Sequence, residues 1–179
     1  MNSATVSAGD TILASQYNNL RTDAVTGLSG AHVYNNSSTT TLNHATETAI
    51  TFDSEIYDTG TYHDTSSNTE RLTTAVAGLY LMGFHLDDVT GDSGGNLNIF
   101  TLKTYKNGSE ISTGTAGSAY LSKLNFVSSS DDTGAVDITF PYNASANDYF
   151  HFTLTQSSDN SENRTVGQVS AWIQLLKPA

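Results

Sequence analysis

The sequence predicts an all-β antiparallel sandwich of nine or ten strands, preceded by one short N-terminal α-helix. Three observations predict it. Ser, Thr, Asn and Gly are abundant while Pro is limited to 2 of 179 residues, a mixture suited to short strands joined by polar turns. From residue 31 onward the apolar pattern repeats every two residues. Turn signals such as Asn107-Gly108 and Asp132-Thr-Gly134 separate the runs, and a tight Asn-Gly turn implies antiparallel hairpins. A chain of this length supports one core, which divides it into an N-terminal arm, residues 1–30, and a head, residues 31–179.

The helix is read from Asp10-Thr-Ile-Leu-Ala-Ser-Gln-Tyr-Asn-Asn-Leu-Arg-Thr-Asp23. Asp10 caps the first turn, Leu13, Tyr17 and Leu20 recur at i, i+4 and i+7 with Ile12 beside them, and Gly27 marks the exit. About four turns are marginal alone in water, so this stripe needs a second surface. The segment therefore reads as an attachment arm, with its own domain's core as the alternative cover.

Strand-like runs follow at 32–34, 48–52, 71–74, 78–87, 97–105, 120–127, 136–140, 149–155 and 168–176. Two of them are apolar on both faces. In Leu79-Tyr-Leu-Met-Gly-Phe-His-Leu86 one row holds Tyr80, Met82, Phe84 and Leu86, and the other holds Leu79, Leu81, Gly83 and His85. In the last run Val169, Ala171, Ile173 and Leu175 oppose Ser170, Trp172, Gln174 and Leu176. A sandwich buries one face per sheet, so the second row calls for a neighbouring subunit.

Composition narrows the function. With 7 basic against 18 acidic residues the net charge is −11, which excludes phosphate-neutralising contacts with nucleic acid and disfavours anionic membranes. No run approaches the roughly 18 apolar residues of a membrane span, and residues 1–20 lack the pattern of a secretion signal, so neither insertion nor classical secretion is expected. The chain has no cysteine, hence no disulfide framework and no thiol nucleophile.

Gly91-Asp-Ser-Gly-Gly95 reproduces the stretch around the nucleophile of chymotrypsin-like serine proteases. No histidine block matches that family, Asn96 stands where Pro is usual, and the stretch joins two strand-like runs, so a loop is expected rather than a Ser93 hydrolase. Asp87, Asp88, Asp92, Asp131 and Asp132 offer hard oxygens but too few on one loop for calcium. His63 beside Asp64 lacks further ligands at zinc spacing. The expectation is a protein without catalysis, metal or cofactor.

Phe52-Asp-Ser-Glu-Ile-Tyr-Asp-Thr-Gly60 followed by Arg71-Leu-Thr-Thr-Ala-Val-Ala-Gly-Leu-Tyr-Leu-Met-Gly-Phe-His85 resembles the strand, turn, Pro-x-x-Gly-x-Tyr and strand of C1q/TNF-like jelly rolls. Ser145-Ala-Asn-Asp-Tyr-Phe-His-Phe152 is similar to that family's Gly-Asp-x-(Val/Leu) hairpin, and Gln168-Val-Ser-Ala-Trp-Ile-Gln-Leu175 to its closing strand. The chain departs from the pattern at Ala75, where Pro is usual, and at Asn147 and Ala171, where Gly is usual. The resemblance covers residues 31–177 and implies an antiparallel jelly roll that forms a homotrimer, with Leu79, Leu81, His85, Trp172 and Leu176 facing the threefold axis. Three copies of His85 meeting there would repel one another on protonation, so the trimer is expected to weaken in acid.

Ser7-Ala-Gly-Asp-Thr-Ile-Leu-Ala-Ser-Gln-Tyr-Asn-Asn-Leu-Arg-Thr-Asp23 is similar to an N-terminal segment of tailed-virus structural proteins, and Phe-Asp-Ser-Glu-x-x-Asp-Thr with His63-Asp64-Thr65 is similar to C1q-like heads of viral and bacterial proteins. Together they imply a bacteriophage-type virion component: a fibre, a capsid decoration or a tail-associated head. Such a protein is assembled in the host cytoplasm and displayed on the particle. Its arm would dock on other virion proteins and its head would meet host glycan or protein. The alternative is a cellular C1q-like adhesin or lectin. Tyr57 and Tyr62, in the stretch 53–68, are the aromatic residues expected to stack on sugars.

Overall fold

The computed structural model describes residues 29–36, 39–90, 97–111, 122–127, 133–158 and 161–179. The attachment arm with Ile12, Leu13, Tyr17 and Leu20, the Gly91–Gly95 stretch with Ser93, and the turn at Asp131 and Asp132 lie outside these residues.

The described strands are β1 (Gly30–Tyr34), β2 (Thr40–Leu42), β3 (Thr48–Ala49), β4 (Ser54–Asp58), β5 (Leu72–Thr73), β6 (Gly78–Thr90), β7 (Leu97–Lys106), β8 (Ser109–Glu110), β9 (Ser122–Val127), β10 (Thr133–Ala144), β11 (Tyr149–Ser158), β12 (Arg164–Val166) and β13 (Val169–Pro178). They make two sheets, and every strand pair is antiparallel. One sheet runs β2-β12-β6-β13-β1-β4, with β10 also on β6; the other runs β3-β11-β7-β8, with β5 on β11 and β9 on β7. Neighbours far apart in sequence, such as β1 beside β13, are the signature of a jelly roll rather than a meander.

The inward rows are the ones the alternation predicts. Tyr80, Met82, Phe84 and Leu86 of β6, with Ala171, Ile173 and Leu175 of β13, are fully buried and meet Phe150, Phe152 and Leu154 of β11 and Phe100 and Leu102 of β7. Phe84 and Phe152 join the sheets with ring centroids 5.1 Å apart. Tyr80, whose hydroxyl donates to the Val76 carbonyl, meets Tyr62 edge-on.

Turn chemistry explains the Asn at position 147. Asn147 holds φ 65° where a glycine is usual, a conformation that Asn tolerates better than other side chains. Around it Asn147 N donates to Thr74 O at 2.8 Å and Thr74 N to Asp148 O at 2.8 Å. The Asp148 carboxylate accepts from Ser145 N and Asn107 Nδ2 and pairs with Lys106 Nζ at 2.9 Å. Burial raises its pKa, but these contacts outweigh burial and hold the carboxyl below its usual range. At the β7–β8 hairpin Asn107 and Gly108 have φ 50° and 78°, the pair of positive values that a tight two-residue turn requires.

Two boundaries differ from expectation. β6 continues to Thr90, so Asp87 and Asp88 belong to a strand rather than a turn, and Thr133-Gly134 pairs with Thr90 and Val89 as the start of β10. Five residues of the stretch 53–68 likewise form strand β4, which covers the edge of β1.

Candidate functional site on the outer face of the seven-stranded sheet

Strand register assembles the outer face row by row. Tyr57 of β4 lies opposite His32 of β1, His32 opposite Trp172 of β13, Trp172 opposite Gly83 of β6, and Gly83 opposite Thr139 of β10. A second row runs Tyr34, Ser170, His85 and Asp137, and a third brings Gln174, Leu81 and Pro141 together. Because period-two strands send alternate side chains to opposite faces, these rows are the reverse of the core rows.

Gly83 carries the middle of this face. A Cβ built there would lie 2.0 Å from Cζ2 and 2.1 Å from Cε2 of Trp172, so the indole lies directly on the strand backbone, and any side chain at 83 would displace it. His32 meets Trp172 at 6.0 Å and Tyr57 at 6.3 Å between ring centroids, both edge-on. Leu79, Leu81, His85 and Trp172 are half-buried. Leu176 is 48 % exposed, on the outward side of the alternation at the point where the register shifts between Leu175 and Lys177. At the β4 border Ile56 is 63 % exposed and Tyr57 41 %. A groove of about 310 Å³ runs between β4 and β6, lined by His32, Tyr34, Glu55, Ile56 and His85 among others.

The six-stranded sheet presents a different outer face. Glu47 accepts hydrogen bonds from the Tyr105 hydroxyl, from Thr153 Oγ1 at 2.8 Å and from Lys103 Nζ at 3.1 Å, while Lys103 also pairs with Glu110. Burial raises the Glu47 pKa, and these three donors reverse the effect and lower it. The His151 ring stacks on Tyr105 at 4.9 Å. Among the described residues these side chains form a polar cluster on that face, whereas the Trp172 face carries exposed apolar surface at Ile56, Tyr57 and Leu176.

The structure corrects one sequence expectation about ligand-binding aromatics. Tyr62 is 1 % exposed, and its hydroxyl donates to Ser29 Oγ at 2.9 Å. Its ring is part of the core, so no sugar can stack on it. Tyr57 does reach the surface, but edge-on to His32 within the apolar face.

Residues of the Phe-Asp-Ser-Glu-x-x-Asp-Thr run prove to be architectural. Phe52 is core. Asp53 Oδ1 accepts from Asn36 N at 2.7 Å, and Asp58 accepts from Gly60 N and His63 N, each at 2.9 Å. Thr59 Oγ1 accepts from Gly30 N, and Glu55 contacts His63 Nδ1 at 3.0 Å. His63 Nε2 faces the Thr69 carbonyl at 3.1 Å, so both ring nitrogens brace the loop. Sequence reasoning placed His63 in a polar turn and missed this bracing, because its partners lie six and eight residues away.

His85 Nδ1 meets Asp137 Oδ1 at 2.6 Å. Asp137 lies opposite His85 in the register of β10 on β6. At His32, burial and then the charge of His85 lower the pKa. His151 is lowered as well, mainly by burial. A histidine with a depressed folded-state pKa binds protons more readily when unfolded, so stability falls as pH drops below about 6.5. The thermal midpoint is therefore expected to decline between pH 7.5 and 5.5, above the window in which Glu47 and Asp148 titrate. The His32→Gln, His151→Gln double variant should flatten that decline in calorimetry. An unchanged wild-type midpoint across this window would refute it.

Fold and face together define an antiparallel jelly roll whose seven-stranded sheet carries aromatic and apolar side chains on its outer face. Among solved structures, the globular domain of zebrafish complement 1qA protein matches with a TM-score of 0.53 at 14 % identity, over 84 % of this chain and 99 % of that one. The TNF protein Eiger from S. frugiperda matches with a TM-score of 0.47 at 13 % identity, over 83 % and 93 %. The fold is the C1q-like jelly roll. No family model matches the sequence, and no curated protein matches it.

Proposed function

We propose that the protein is a non-enzymatic, homotrimeric virion structural component, a fibre, decoration or tail-associated head, that attaches through residues 1–30 and meets a host-surface glycan or protein through its head. The observation that carries self-association is the apolar row Tyr57, His32, Trp172 with Leu79 and Leu81, set on a sheet whose other face already closes the core. A resemblance to trimeric C1q/TNF-like heads supports the number three, and the likeness of residues 7–23 to tailed-virus segments supports the particle.

Deletion of residues 1–28 tests the assignment. In a virion the truncated head should keep its trimer mass by light scattering and lose attachment to the particle. In a cellular C1q-like adhesin the deletion should change no particle association, because there is none, and ligand binding should persist. Hydrolysis of a generic ester or peptide that is lost on Ser93→Ala would overturn the non-enzymatic reading.

A further inference from the structure

We propose that the cleft between the 59–71 loop and the start of β11 binds a neutral saccharide through Arg71, Asp64 and Asn68. This deepens the glycan branch of the proposed function and moves it away from aromatic stacking. The cleft measures about 670 Å³, within the range of about 300–1,000 Å³ usual for small-ligand sites.

Its lining chooses the chemistry. Thr61, Thr65, Ser67 and Asn68 supply hydroxyl and carboxamide groups, beside the charged Asp64 and Arg71. The large exposed apolar side chains, Ile56, Tyr57, Val76 and Leu176, lie outside this lining, whose apolar surface comes with Tyr149 and is interleaved with the polar groups, a mixture that suits the two-sided surface of a sugar ring better than a wholly apolar ligand. Anionic ligands meet Asp64 and Glu55 in the wall, Glu70 beside Arg71, and a chain of net charge −11. Cationic ligands meet Arg71. A neutral polyol, which both donates and accepts, suits a wall that mixes carboxylate, carboxamide and guanidinium groups.

The polar groups are also held in place. Asp64 Oδ1 accepts from Ser66 N at 2.8 Å, Ser66 Oγ at 2.7 Å and Ser67 N at 3.1 Å, which fixes the carboxylate while Oδ2 takes part in none of these bonds. The Arg71 guanidinium lies 4.3 Å over the Tyr149 ring and its Nε donates to Glu70 at 3.0 Å. The plane of the guanidinium is thereby set, and its Nη donors remain for a ligand. Arg71 N donates to Asn68 O, and Thr73 N to Tyr62 O. Thr61 and Asn68 sit at φ 56° and 51°, a conformation that costs energy in residues other than glycine and persists where surrounding contacts enforce it. A loop ordered in advance loses little entropy on binding.

The test uses the full chain in EDTA, with lactose, maltose, mannobiose and chitobiose as neutral probes and sialyllactose as the anionic one, read by saturation-transfer NMR and calorimetry. At least one neutral disaccharide should bind at millimolar or tighter affinity. Arg71→Gln and Asp64→Asn should each weaken it at least tenfold; Asp64→Asn keeps the Oδ1 bonds of the turn and makes the other position a donor, so the loop stays folded. Leu81→Arg, on the far face, should leave binding unchanged. Binding to sialyllactose alone, binding to no probe, a requirement for calcium, or full binding by both cleft variants would each overturn the inference. Loss of sugar binding with trimer mass and particle attachment intact would remove this site and spare the assembly reading; sugar binding by a wild-type chain that is itself monomeric would do the reverse.

Discussion

Trp172→Asp is expected to turn the proposed trimer into a folded monomer of the 19.1 kDa chain. The indole rests on Gly83 and meets His32, with Tyr57 on the other side of that ring, in the middle of the aromatic row of this face. Central aromatic residues of an interface are worth about 2 kcal/mol or more each. In the proposed trimer the loss is repeated at three contacts, so association should weaken by about four orders of magnitude. An unpaired carboxylate forced into that contact adds a desolvation cost. Light scattering at micromolar concentration reads the mass, and circular dichroism reads the retained β structure. Leu81→Arg, one row away and opposite Gln174 and Pro141, should act in the same way without disturbing the Gly83 contact. A wild type that is itself monomeric, or variants that keep the oligomer mass, would refute the assembly role of this face.

Phe84→Ala is expected to strike stability instead. Phe84 is fully buried and bridges the two sheets through Phe152. Removing a buried aromatic ring costs about 3–5 kcal/mol, transfer and cavity together, against a total of about 5–15 kcal/mol for a native domain. For a chain of this size that is a fall of about 6–20 °C in the thermal midpoint. His85→Ala, next in sequence but on the outer face, should cost far less in a monomeric background. Equal losses from the two substitutions would show that the row assignment is wrong. The pair thus separates the two faces of a single strand by two different readouts, melting temperature and mass.

Much of this architecture is legible in the chain because strand periodicity is a local property. The alternation 79–86 already separates Tyr80, Met82, Phe84 and Leu86 from Leu79, Leu81, Gly83 and His85, and Asn107-Gly108 already names its turn. Shorter strands escaped notice for a physical reason. Thr40–Leu42, Ser109–Glu110 and Arg164–Val166 span two or three residues, too few for a period of two to stand out, and they are strands because a neighbour supplies their hydrogen bonds. β4 was hidden in the same way, since its burial is low and its partner is β1, more than twenty residues earlier.

The candidate sites divide along the same line. That one face of β6 and β13 would need a cover follows from alternation alone. Which residues stand together on that face, Tyr57 beside His32 beside Trp172 over Gly83, depends on the registers of four strands drawn from both ends of the chain. Tyr57 and Tyr62 are equivalent in a list of aromatic residues five positions apart, yet one is at the surface and the other is core, because the turn at Asp58 and Gly60 reverses the chain between them. The cleft at Arg71 depends on Tyr149, seventy-eight residues away, to hold the guanidinium flat. Composition and period determine how much apolar surface a strand carries on each side. Register between distant strands determines which polar groups converge, and that is a property of the folded chain.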